Sequence, residues 1–254
     1  MDTDRLIDRS GWCFESMRLD KLLSNSGLGS RKEIKQLVKS GQVMVDGVTV
    51  RDSSIHVDPE TNRIYVSGQR LEYKKYVYFM LNKPAGVVSA TWDARFSTVL
   101  DLVPDQYRHF DLFPVGRLDR DTEGLLLLTN DGQLAHNLLS PKKHVHKTYF
   151  AKVEGRVTTE DIAAFAEGVV LDDGYKTLPA QLEILHSDKI STIYITIVEG
   201  KFHQVKRMFE AVDKKVIYLK RISMGSLKLD ENLKPGEIRE LSEEELHLLK
   251  QGTH

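Results

Sequence analysis

The sequence predicts an α+β protein in two parts, a small N-terminal module and a larger domain on a mixed sheet flanked by helices. Three observations predict it. Strand-like and helix-like segments intermingle without the regular alternation of a doubly wound fold. Positive charge is concentrated near the N-terminus. A short stretch, LEYKK (71–75), separates two differently patterned regions. The expected boundaries are an N-terminal extension at 1–16, a first domain at 17–75 and a second at 76–254.

Charge and composition narrow the class. The whole chain carries a net charge of −1, yet residues 17–76 hold 11 Lys and Arg against 7 Asp and Glu. A local field of that sign steers a polyanion even when the total is near zero. Hydrophobic residues make up 41% of the chain, enough for a core, but no apolar run is long enough to span a bilayer. Residues 1–16 lack the apolar centre of a signal peptide. They read as a weakly packed extension, either appended in cloning or left by an upstream start codon. The single cysteine, Cys13, allows no internal disulfide and fits a reducing cytoplasm.

In the first domain, Leu19, Leu22 and Leu23 fall at helical spacing, and SNSGLGS (24–30) ends that helix. Ser30 and Glu33 form a capping box for a second helix over about 31–40, striped by Ile34, Leu37 and Val38. Asp46-Gly47 between Val43–Val45 and Val48–Val50 is a strong hairpin signal. Arg63–Val66 reads as a further strand. On the second helix Arg31, Lys35 and Lys39 recur every fourth residue with Lys32 beside them, opposite the apolar stripe. A solvated face is the usual meaning of such a run. Four cations against one acid favour contact with phosphates instead.

In the second domain, strands are expected at Tyr76–Leu81, Leu125–Leu128, Lys147–Val153, 180–185, 191–198 and Lys214–Ile222. Helices are expected near 98–102, 133–139 (capped by Asp131), from Thr158 or Thr159 to about Gly168, within 199–213, and after a Ser242/Glu245 cap. Phe202, Val205 and Phe209 have the spacing of a core-facing helical stripe.

Several kinds of site are missing from the sequence. It has no GxxxxGK[ST], GxGxxG, HExxH or GxSxG pattern. His144 and His146 sit in a basic loop without the cysteines or carboxylates a metal needs. No metal and no cofactor is expected. What remains is GRLDRDTEG (116–124), where Arg117, Asp119, Arg120, Asp121 and Glu123 alternate in sign ahead of an apolar strand. Surface salt bridging accounts for such a pattern in most chains. Here glycines bracket the segment and a core strand follows at once, so a carboxylate would be held rigidly. With arginines near, it stays ionised and can act as nucleophile or base.

Four segments, in this order, resemble the RsuA-like family of ribosomal RNA pseudouridine synthases over about residues 17–250. RLDKLLSNSGLGSRKEIKQLVKSGQVMVDG (18–47) is similar to an S4 RNA-binding domain. GRLDRDTEGLLLLTNDG (116–132) is similar to the family's signature segment, KTY (147–149) to its tyrosine motif, and EGKFHQVKRMF (199–209) to the segment with a basic partner for the aspartate. The resemblance implies a catalytic domain on a largely antiparallel sheet that isomerises uridine to pseudouridine in a flipped-out nucleotide. It implies Asp119 as nucleophile, Tyr149 stacked on the uracil, and Lys206, where the family usually has arginine, as the basic partner. Arg117, Arg207 and Lys83 are further expected substrate contacts, and Arg18, Arg31, Lys32, Lys35 and Lys39 would bind RNA. The implied partner is ribosomal RNA or an assembling ribosomal subunit, met by a cytoplasmic monomer without a membrane anchor. The KTY and HQ (203–204) motifs look more like small-subunit (16S) members than large-subunit (23S) ones. A non-catalytic S4 protein and a hydrolase with paired carboxylates are the more distant alternatives.

Overall fold

The computed structural model describes residues 16–251. The extension at 1–16, Ser16 excepted, and Cys13 with it, lie outside the described residues. The chain forms two compact units. One comprises the N-terminal residues to Lys75 together with Pro104–Phe110, and the other Tyr76–Val103 and the chain from Asp111 onward. Pro104–Phe110, inside the stretch the sequence assigns to the second domain, thus groups with the first.

In the first unit, helices Leu19–Asn25 and Arg31–Lys39 accompany a four-stranded antiparallel sheet. Its strand order is Val48–Val50, Val43–Val45, Ile64–Val66, Gln69–Arg70. Ser30 and Glu33 make the expected capping box, satisfying backbone N–H groups that the first helical turn leaves unpaired. Asp46 and Gly47 both adopt positive φ (49° and 81°), as a tight hairpin with the right twist requires. The apolar stripes meet in one core of Leu19, Leu22, Leu23, Ile34, Val38, Val43, Val57 and Ile64. Two short strands, His56–Val57 and Gln69–Arg70, carried too little pattern to be read in advance.

The second unit is built on a sheet that has nine strands among the described residues. Its main path runs Gln181–His186, Ile190–Ile197, Lys147–Glu154, Lys215–Met224, Glu123–Thr129, Tyr78–Lys83, Ile238–Glu240. Every neighbouring pair on this path is antiparallel except Lys215–Met224 with Glu123–Thr129. The expected mixed, largely antiparallel sheet is therefore present. Leu125–Leu128 is buried on both faces, which is why this strand reads as a continuous apolar run rather than an alternation. One side packs Leu125, Leu127, Tyr78 and Met80 against helix Gly132–Leu139 through Leu134, Ala135 and Leu138. Helices Thr159–Glu167 and Gln204–Glu210 meet edge to face at Phe165 and Phe209, whose ring centroids are 4.9 Å apart.

The sequence places Phe202 in a core stripe, and the structure corrects this. Helix Gln204–Glu210 begins two residues later, and Phe202 is 74% exposed. His203 adopts a left-handed conformation (φ 48°, ψ 32°) and breaks the helical register. The helix packs through Val205, Met208 and Phe209 instead.

Candidate active site

The loop Arg117–Thr122 leads into the strand Glu123–Thr129 and is anchored from beneath. Lys83, at the end of strand Tyr78–Lys83, has a fully buried side chain. Its Nζ donates to the carbonyls of Pro84 (3.0 Å), Arg120 (3.2 Å) and Thr122 (2.8 Å). Gly86 N–H donates to the Arg120 carbonyl at 2.7 Å. Ser89 Oγ donates to the Leu118 carbonyl (2.9 Å) and accepts from the Leu118 N–H (3.1 Å). Gly124 closes the loop with φ 100°, where a Cβ would come within 2.2 Å of the Arg221 carbonyl oxygen. Only glycine allows the two strands to approach there.

The expected role of Lys83 as a phosphate contact is thus not what the geometry offers. All three ammonium donors are engaged by backbone carbonyls inside the protein. Burial pushes the ammonium down to about 8, against the pull of Asp121, Asp119 and Glu123. Lys83 holds the loop and places a positive charge beneath its carboxylates.

Asp119 projects from this loop into a cleft lined also by Arg117, Leu118, Thr122, Tyr149, Ile197, His203, Lys206 and Leu219. Its side chain is a quarter exposed. Lys206 Nζ lies 3.1 Å from Asp119 Oδ2 and 2.7 Å from Asp121 Oδ1. Burial alone would lower the Lys206 ammonium, but Asp121 and Asp119 outweigh it and hold it above its ordinary value. Asp121 is pushed up by partial desolvation, and the Lys206 ammonium prevails and keeps it below the ordinary carboxylate range. His203 Nε2 stands 3.5 Å from Asp119 Oδ1.

Tyr149 is only 7% exposed on strand Lys147–Glu154, between Ile195 and Arg221 of the adjacent strands. Arg221, itself 2% exposed, donates from Nε to the Leu125 carbonyl at 2.8 Å. Tyr149 lines the same cleft as Asp119. Arg117 lines the cleft with an exposed side chain. Arg120, the next cation along, turns to Phe96, its guanidinium 4.4 Å from the ring centroid.

The sequence places Arg207 with Lys206 at the substrate, but the structure separates them. Arg207 Nε donates to Asp172 Oδ1 at 2.6 Å, and its Nη2 pairs with Asp172 and with Asp173 (2.7 Å). Adjacent helical residues point about 100° apart, so when one reaches Asp119 the other cannot.

The turn that aims Lys206 is held by two buried residues that sequence reasoning left without a role. Glu199 Oε1 accepts from Gln204 Nε2 (2.7 Å) and from the Leu178 N–H (2.9 Å), and Glu199 Oε2 accepts from Tyr175 Oη (2.7 Å). Gln204 Oε1 accepts from the Lys201 N–H at 2.9 Å. These bonds stabilise the left-handed His203, a conformation that costs on the order of 1–3 kcal/mol for a non-glycine residue. A Glu and a Gln five residues apart around a glycine turn were the available signal.

On the first unit, Arg31, Lys32, Lys35 and Lys39 are all exposed. Arg18 is half-exposed but tied to Asp20 by two bonds of 2.6 and 3.1 Å, so its charge is already partly matched. Among the described residues no cluster of His, Cys, Asp or Glu has a metal-binding arrangement, and no helix is long and apolar enough to cross a membrane.

A carboxylate 3.1 Å from a lysine ammonium, sharing a small cleft with a buried aromatic ring, is suited to chemistry on a planar base. Comparison with known proteins identifies the family. Residues 77–211 match the family described as RNA pseudouridylate synthase, and residues 17–62 match the S4 domain. The chain is 57% identical over 236 residues to an uncharacterised RNA pseudouridine synthase of Bacillus subtilis, covering 92% of this chain and 99% of the relative. It is 41% identical to ribosomal large subunit pseudouridine synthase B of B. subtilis (92% and 95% covered). It is 40% identical to ribosomal small subunit pseudouridine synthase A of Salmonella typhimurium (91% and 98% covered). A solved structure of a pseudouridylate synthase superposes with a TM-score of 0.64 at 37% identity, covering 92% of this chain and all of the other. The chain belongs to the RsuA-like family of RNA pseudouridine synthases, isomerases that carry an S4 domain ahead of the catalytic domain.

Proposed function

We propose that this enzyme converts one specific uridine of ribosomal RNA to pseudouridine, with Asp119 as the nucleophile. The observation that carries this reading is the meeting of Asp119, Lys206 and Tyr149 in one cleft, with the Asp119 loop tied to the sheet by Lys83 and further held by Ser89. The target nucleotide leaves its stack to reach the cleft, and Tyr149 returns part of that cost by stacking, about 1–3 kcal/mol. The Asp119 carboxylate attacks the ribose or the ring, and the bond it forms is broken again before release, which returns the free carboxylate. The bond between N1 and the sugar breaks and a bond from C5 to the same sugar carbon forms. The base loses the proton on C5 and gains one on N1, so the RNA keeps its mass. Lys206, 3.1 Å away, orients the Asp119 carboxylate for attack and balances its charge. The exposed Arg117 contacts the RNA at the cleft mouth, or takes the place the flipped base leaves. The Arg31, Lys32, Lys35 and Lys39 face of the S4 domain adds salt-dependent affinity for phosphates. The enzyme acts in the cytoplasm as a monomer, on ribosomal RNA or an assembling subunit.

The KTY and HQ motifs favour the small-subunit 16S RNA as substrate. The relative named for the large subunit, at nearly the same identity as the one named for the small, supports 23S RNA as a second reading. Mapping pseudouridines in ribosomal RNA from cells with the gene, without it, and with only Asp119→Asn decides. A site missing from the deletion and the variant supports the proposal, and its subunit settles the choice. A ribosomal RNA map unchanged by deletion overturns it.

A further inference from the structure

Phe202 is a large aromatic side chain that the fold holds in solvent. It is 74% exposed, and its ring lies almost parallel to the His203 imidazole, with centroids 3.8 Å apart and planes 17° from parallel. The pair is not slack. The left-handed His203 backbone turns both rings away from the helix core, and the buried Glu199–Gln204 bonds hold that turn. One end of the stack is at the nucleophile, with His203 Nε2 3.5 Å from Asp119 Oδ1, and the other end is in solvent. Three cations line the cleft that His203 also lines. Lys206 and Arg117 line the cleft, and Lys201 Nζ lies over the Tyr175 ring at 4.5 Å.

We propose that the Phe202–His203 stack is a second base-binding subsite, which receives an unpaired nucleobase of the RNA adjacent to the uridine that enters the cleft. Extruding a nucleotide also deprives its neighbour of a stacking partner. An exposed ring beside the cleft mouth supplies a replacement, and it does so for any base because every base has a π-face. The exposed Arg117 and Lys201 of the same cleft supply positive charge for the flanking phosphates. Phe202 thus adds affinity and register to the substrate complex without touching the reacting atoms. The proposal rests on RNA as the substrate and not on which ribosomal subunit supplies it.

The test uses the full-length protein and a single-stranded RNA carrying one uridine, with fluorescent 2-aminopurine placed on its 5′ or its 3′ side. With wild type, one of the two placements is quenched on binding. Phe202→Ala abolishes that quenching and raises the half-saturating RNA concentration about tenfold, or about 1.4 kcal/mol. Phe202→Trp restores both, and Phe202→Leu restores neither. Equal quenching in wild type and Phe202→Ala, or rescue by leucine as good as by tryptophan, overturns the subsite. Wild-type quenching without any uridine converted in ribosomal RNA leaves the subsite standing and removes the ribosomal substrate instead.

Discussion

Lys206 Nζ lies 3.1 Å from Asp119 Oδ2, and the same ammonium lies still closer, at 2.7 Å, to Asp121. One cation therefore serves two carboxylates. A lysine is a point charge with three donors and can divide itself in this way, whereas an arginine fork is better matched to one carboxylate. Lys206→Met leaves two facing carboxylates without their counterion, and its single-turnover rate is expected to fall by a factor of about 100 or more. Lys206→Arg should retain activity within about tenfold. Equal losses in both variants would mean that charge is not what Lys206 contributes.

Lys83 acts on the same carboxylates from below the loop. Lys83→Met preserves the apolar stem but removes three hydrogen bonds to Pro84, Arg120 and Thr122. Unpaired buried carbonyls cost on the order of 1–3 kcal/mol. The variant should therefore unfold at lower urea, and its single-turnover rate should drop at least tenfold as Asp119 loses its fixed position. Full stability together with full activity would show that Ser89 and Gly86 hold the loop alone.

Lys147 gives a pH signature. Burial first, and then the charge of Arg221, push its ammonium down to about 8 from an ordinary 10.5. Between those values the unfolded chain holds the proton and the folded chain does not, so raising the pH favours the fold. The charging cost is fully present below about pH 8 and is relieved toward 10.5. The urea midpoint of wild type minus that of Lys147→Met should accordingly increase from pH 7.5 to pH 9.5. A constant difference would show that Lys147 titrates normally.

The exposed cations of helix Arg31–Lys39 predict a salt effect. Replacing Lys35 and Lys39 by glutamine should weaken RNA binding and lower the slope of log affinity against log salt by about 1.4–1.8, one released counterion per phosphate contact. Binding measured by titration from 50 to 200 mM salt, with an unchanged slope, would remove this helix face from the interface.

Much of this was legible locally. The Ser30–Glu33 capping box, the Asp46-Gly47 hairpin, the Asp131 cap and the apolar Leu125–Leu128 run depend on neighbours a few positions apart, and each appears in the structure. The order of the four motifs was sufficient to predict the family, and the alternating charges around Asp119 pointed to the loop that carries it. The contacts of individual side chains were not legible. Lys83 resembles an exposed turn lysine until strand pairing places it under the loop. Arg207 resembles a substrate ligand until Asp172 and Asp173 claim it, and Phe202 resembles a core residue until one left-handed residue lifts it out. By itself the sequence determined the family and most of the longer elements, because caps, turns and apolar periods act over short separations. Only the tertiary structure decided which cations face Asp119 and which ring faces solvent, because those contacts join segments far apart in the chain through burial and backbone geometry.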